Sequence, residues 1–137
     1  MDEEHSRVHR VTLAMLYFET RPSMDINAEY ERGFQLRCEG NYGEAMAAFQ
    51  RILTVDPGHL KAKMQVGLIY GFQGDFDASL AALSELATSN PTNLDVRYEL
   101  AMTQMMLGMF EEGCANFRYI LSVDPSHEKA LQQAAYC

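Results

Sequence analysis

The stretch Gly40–Pro57, GNYGEAMAAFQRILTVDP, recurs as Gly74–Pro91, GDFDASLAALSELATSNP, and again as Gly108–Pro125, GMFEEGCANFRYILSVDP. Each step is 34 residues. The opening glycine and the closing proline hold their places, and so does the aromatic two residues on, at Tyr42, Phe76 and Phe110. Three apolar sets keep the same register: Phe49, Leu83 and Phe117; Ile52, Leu86 and Ile120; Leu53, Ala87 and Leu121. One such set can arise by accident, but six in one register cannot. A fixed period of this length signals stacked supersecondary units that bury together the apolar faces none of them can bury alone.

Extending the register outward gives three units: Ile26–His59, Leu60–Asn93 and Leu94–His127. Each reads as a helical hairpin. First helices are expected over about Ile26–Glu39, Leu60–Gln73 and Leu94–Leu107, each stopped by a glycine able to take the left-handed conformation. Second helices are expected over about Gly43–Val55, Asp77–Ser89 and Glu111–Val123, with Glu44, Asp77 and Glu111 where the helix dipole favours negative charge. The Asp-Pro or Asn-Pro pair ends each one, because the residue before proline is pushed out of the α region. Connections this short make neighbouring helices antiparallel.

The composition fits one folded domain. The 137 residues are 47% apolar and 22% charged, an ordinary mix for a globular chain. Nineteen acids against eleven bases give a net charge of -8. That sign argues against nucleic acid, whose grip needs clustered Lys and Arg, and against anionic membrane surfaces. The apolar run Val11–Phe18 is too short to span a bilayer and lacks a cleavage signature. Cys38, Cys114 and Cys137 lie far apart, so an odd count without short spacing does not read as a disulfide framework or a metal knuckle. Free thiols suit a reducing compartment, and the expected location is the cytoplasm.

On these residues the chain resembles the tetratricopeptide-repeat family, built of 34-residue helix–turn–helix units. The first unit has Gly33, Gly40, Tyr42, Ala45, Phe49 and Pro57 at the family's places; the second has Gly67, Tyr70, Gly74, Phe76, Leu83 and Pro91; the third has Leu100, Ala101, Gly108, Phe110, Phe117 and Pro125. The fourth place, often tryptophan in the family, holds Glu29, Lys63 and Arg97, and Arg32, Ser79 and Gly113 also depart from it. The resemblance implies an all-α, right-handed solenoid of three helical hairpins over 26–127. Residues 1–25 are expected to supply an N-terminal capping helix, over Ser6–Thr20, and a linker. Residues 128–137 are expected to form a C-terminal capping helix with Leu131, Ala134 and Ala135 inward.

No catalytic constellation is legible, and neither cofactor nor metal is expected. His59 and His127 share one repeat place and read as turn residues or helix caps. His5 and His9 make only a weak metal pair, and Asp75, Asp77, Glu111 and Glu112 suit helix starts better than acid–base chemistry. Cys38 has no histidine placed to activate it.

Function in the family usually lives on the concave face lined by the first helices. The resemblance puts Asn27, Tyr30, Phe34, Arg37 and Cys38 there from the first unit, and Lys61, Met64, Leu68, Gly71 and Phe72 from the second. The third unit adds Asp95, Tyr98, Met102, Met105 and Met106, and the terminal helix adds Lys129, Gln132 and Tyr136. This surface is rich in methionine and aromatics, which suits an adaptable apolar binding site. Members that grip carboxylate-ended chaperone tails use Lys, Arg and Asn where this chain has Tyr30, Phe34, Gln65, Asp95 and Glu99, so that role is disfavoured. The expectation is a non-catalytic interaction module that receives an apolar or amphipathic peptide or helix. The alternatives are homodimerisation through the same strip or the N-terminal helix, and a small acidic chaperone of the secretion type.

Overall fold

The computed structural model describes residues 24–137. The N-terminal capping helix expected over Ser6–Thr20 and the His5–His9 pair lie outside the described residues. Seven helices and no strand are found among the described residues: α1 (Ile26–Cys38), α2 (Tyr42–Val55), α3 (Leu60–Phe72), α4 (Phe76–Ser89), α5 (Leu94–Met106), α6 (Phe110–Val123) and α7 (Glu128–Ala134). They form three antiparallel hairpins in sequence, and the odd-numbered helix of each unit also packs on that of the next.

The punctuation works as its chemistry requires. Gly40, Gly74 and Gly108 have φ of 84°, 86° and 78°, in the left-handed region. At the first of these turns the Gly40 amide donates to the Arg37 carbonyl and the Asn41 amide to the Leu36 carbonyl. This crossed pair satisfies the carbonyls that a helix end leaves open, and it recurs at the other two turns. First helices stop one residue before the sequence limits and second helices start one residue early, because the aromatic after each glycine already joins the helix. His59 and His127 are caps: each Nδ1 accepts from the amide three residues on, Ala62 or Ala130, at 3.1 Å. Asn93 does the same for Val96.

Three apolar clusters overlap along the solenoid. Phe49, Ile52 and Ala45 pack with Ile69 of α3; Leu83 and Leu86 pack with Val96 and Leu100 of α5; Phe117 and Ile120 pack with Ala130 of α7. Small residues permit the close approach within a hairpin. A Cβ added at Gly33 would meet the Phe49 ring at 2.9 Å. Two of the fourth-place residues close their hairpins with polar contacts instead of an indole. Glu29 pairs with Arg51 at 2.7 Å, and Arg97 donates to Asn116 and lies over the Tyr119 ring.

One expectation is overturned. Cys114 and Cys137 form a disulfide, with Cα atoms 5.9 Å apart, and only Cys38 is free. The two lie 23 residues apart in sequence, a spacing that matches no local motif. Their meeting depends on α7 docking beneath α6, which only the stacked fold supplies. No helix among the described residues is long and apolar enough to cross a membrane.

Candidate functional site

The inner helices α1, α3 and α5 pack side by side, and several of the expected residues stand on them. At the first two units, the Arg37 guanidinium lies 4.6 Å from the Phe34 ring centroid and 5.6 Å from that of Phe72, so one cation bridges aromatics of adjoining units. The other side of Phe72 stacks on Tyr42 at 5.5 Å. Phe34, Phe72 and Met106 nevertheless stay 38%, 51% and 69% exposed. Such apolar exposure is costly to leave in water and valuable to cover.

Tyr30 and Tyr98 hold the same repeat place and the same surroundings. Each ring packs on the phenylalanine of its own hairpin, Phe49 or Phe117, and on the capping histidine, His59 or His127. Met64 occupies the equivalent place in the second unit. Lys129 of α7 reaches over the Tyr98 ring at 5.7 Å. Asn27, Tyr30 and Lys61 line a cavity of about 630 Å³ at the start of the inner helices, and Met64 and Asp95 line a smaller one of about 150 Å³ beside it. A further cavity of about 490 Å³, lined by Leu53, Val66, Tyr70 and Leu86, contains none of the expected groove residues.

The electrostatics centre on Glu99, half-buried on α5. Burial pushes its carboxyl above the usual carboxylate range; Lys129 and Arg37 oppose that shift, and Asp95 adds to it. Tyr98 is likewise raised, by burial first and then by the Glu99 charge. Glu99 is therefore within electrostatic reach of both Arg37 of the first unit and Lys129 of the last helix.

Two expected groove residues stand elsewhere. Met105 turns into its own hairpin, where its Sδ would lie 2.7 Å from any Cβ at Gly113. The glycine that replaces the usual alanine at 113 makes room for this methionine, so Met105 is packing rather than groove lining. The corresponding pair in the second unit trades volume the other way, Gly71 against Ser79. Tyr136 lies beyond the end of α7, 80% exposed, in a turn closed by its amide on the Gln133 carbonyl. Ala135 closes the helix early, so the face that would have aimed Tyr136 inward does not exist. Met64, Leu68 and Met102 remain half-buried against the core clusters, with one side each left to the face.

One residue of the site was not among the expected groove lining. Gln65 is only 4% exposed, its Nε2 donates to the Tyr30 hydroxyl at 3.2 Å, and its Oε1 has no partner among the described residues. The signal was present: Gln65 and Glu99 share the sixth place of their units. No group of three His, Cys, Asp or Glu among the described residues is arranged to hold a metal ion.

A family model for the tetratricopeptide repeat matches residues 60–93, the second hairpin. The chain has the tetratricopeptide-repeat fold. The other two hairpins repeat the 34-residue register and the pair of helices of the second. No relative is found among curated proteins by sequence. Solved structures of tetratricopeptide-repeat proteins share this fold. The chain resembles MamA (41-end) from Desulfovibrio magneticus RS-1, with a TM-score of 0.66 and 21% identity over 82% of this chain, and spans 63% of that one. It resembles PcrH in complex with the chaperone binding region of PopB, with a TM-score of 0.69 and 20% identity over 85% of this chain and 97% of that one. The second such domain of human RPAP3, in complex with an HSP70 peptide, matches with a TM-score of 0.66 and 16% identity over 79% of this chain and 90% of that one.

Proposed function

We propose that this protein is a non-catalytic interaction module whose concave face receives an apolar or amphipathic peptide segment. The observation that carries the reading is the exposure of Phe34, Phe72 and Met106 on the inner-helix face, with Arg37 already bridging the first two rings. Binding would be driven by area burial, about 25 cal/mol per Å² before ordering costs. The peptide-bound structures of PcrH and RPAP3 support this use of the fold by likeness alone. The acids at Asp95 and Glu99 still weigh against a carboxylate-ended tail.

A second reading is self-association. It is favoured by α6, where Phe110 and Val123 are exposed outside the groove. The Cys114–Cys137 pairing supports a setting in which disulfides persist, and the cytoplasmic placement drawn from free thiols loses its basis.

The test is a displayed library of random 12-residue peptides selected on the full chain. Selected peptides are expected to lose at least about tenfold in affinity for the Phe72→Glu/Met102→Glu variant while circular dichroism shows unchanged helix. Undiminished binding, or no selected peptide at all, rejects the groove. A mass of twice the chain by light scattering, lost in Phe110→Glu and kept in the groove variant, supports the second reading.

A further inference from the structure

We propose that the cavity of about 490 Å³ on the second hairpin takes the indole ring of a partner protein's tryptophan. The site lies outside the groove and does not depend on the groove reading.

The three hairpins act as controls for one another at the fourth, eleventh, twenty-third and twenty-sixth places of each unit. In the third unit these are Arg97, Gln104, Asn116 and Tyr119, and they fill the space with their own side chains. Arg97 donates to Asn116 at 3.1 Å and lies 4.0 Å from the Tyr119 ring centroid, and Asn116 donates to Gln104 at 2.6 Å. In the first unit Arg51 closes over Glu29 with two hydrogen bonds, at 3.0 and 2.7 Å. The second unit holds Lys63, Tyr70, Ala82 and Glu85 at the same places, and all four line the cavity. Ion pairs among the described residues are those of Glu29 with Arg32 and Arg51, so Lys63 and Glu85 do not close on each other. Ala82 is too small to do what Asn116 does. The second hairpin alone leaves this space open.

The lining selects the occupant. Leu53, Val66 and Leu86 supply apolar wall, and a cleft of roughly 300–1,000 Å³ with mostly apolar walls and a few polar groups is the usual form of a small binding site. Lys63 and Glu85 add one ammonium and one carboxylate, both exposed. A charged guest is drawn by one and repelled by the other, so a neutral guest fits best. Indole uses both groups. Its face attracts an ammonium more strongly than a phenyl or phenol ring does, and its ring N–H donates to a carboxylate. Ser89, exposed on the same cavity, offers a hydroxyl to the main chain that carries the ring. The fitting guest is therefore a tryptophan within a peptide rather than free indole.

The chain has no tryptophan, so indole emission reports the guest alone. The probe is N-acetyltryptophanamide, titrated with the full chain. Its emission is expected to shift to the blue. Amide NMR signals of Val66, Ala82 and Leu86 are expected to move, while those of Leu100, Asn116 and Ile120, at the same places in the third unit, stay. N-acetylleucinamide is expected to bind at least about tenfold more weakly, and free indole more weakly as well. The variant Lys63→Arg/Tyr70→Gln/Ala82→Asn/Glu85→Tyr copies the third unit's set and is expected to abolish the shifts. Lys63→Trp supplies the ring from the chain itself; it is expected to emit in the blue and to exclude the probe, and it carries the test should the fourfold variant not fold. Equal shifts in the third hairpin, equal binding of the leucine analogue, or solvent-like emission from Lys63→Trp would overturn the inference. Free indole bound as tightly as the amide would overturn the assignment to a partner's tryptophan.

Discussion

Glu99 is the groove residue whose ionisation the fold opposes. Its carboxyl is raised chiefly by burial, so the folded protein holds the proton more tightly than the unfolded chain does. Stability from this group is therefore fully present below the usual carboxylate range and falls as pH rises through the folded value. Glu99→Gln removes the charge while keeping the shape. It is expected to raise the melting temperature of the free protein at pH 7, and the gain is expected to shrink towards pH 4. Thermal denaturation across that range checks it, and a variant that is less stable at pH 7 would show that Arg37 and Lys129 outweigh the burial. At this scale the sequence was partly transparent. The repeat register put Tyr30, Phe34, Phe72 and Tyr98 on the inner helices, and it read His59 and His127 as caps. It missed that Met105 turns inward, because that depends on the missing methyl at Gly113, on another helix. It missed the burial of Gln65 because that depends on Tyr30, 35 residues away.

The helices themselves were legible because their boundaries are set by local chemistry: a glycine with positive φ, an aspartate or asparagine before proline, a capping side chain three residues from an open amide. Asp75 Oδ1 accepts from the Ala78 amide at 3.1 Å, and Asp75→Ala is expected to cost about 1 kcal/mol by chemical denaturation. α7 is the exception. Seven residues are too few to hold a helix alone, and it survives through Ala130, fully buried in the last cluster, and through the disulfide. Cutting Cys114–Cys137 frees the terminal segment in the unfolded and the folded chain unequally, typically worth about 2–4 kcal/mol. Cys137→Ser, or a dithiol added to the native protein, is expected to lower the melting temperature. Cys38→Ser, at an exposed and unpaired position, is expected to leave it unchanged. Equal melting of all three would show that docking alone secures α7. This pairing was invisible in the sequence because 23 residues of intervening helix and turn must stack before the sulfurs meet.

Cohesion across the whole molecule passes from unit to unit. α3 belongs both to the cluster around Phe49 and to the one around Leu83, and α5 both to that one and to the cluster around Phe117. No cluster contains all three hairpins. Stability should then be a sum of unit and neighbour terms rather than one indivisible quantity. Two core truncations separate these cases. Leu83→Ala, in the middle, is expected to cost about 2–5 kcal/mol, and Phe117→Ala, near the end, about 3–5 kcal/mol. Native-state hydrogen exchange read by mass spectrometry follows where each cost is felt. The middle truncation is expected to lower protection in both flanking hairpins, since each shares an inner helix with a cluster that touches the damage. The end truncation is expected to expose α5–α7 and leave α1 and α2 close to their original protection. Equal loss along the whole chain in both variants would mean that three hairpins are too few for independent opening, and that the groove is lost or kept only as a whole. The unequal pattern would mean that the groove can lose its third-unit wall, with Tyr98, Glu99 and Met102, while the Phe34–Arg37–Phe72 bridge persists.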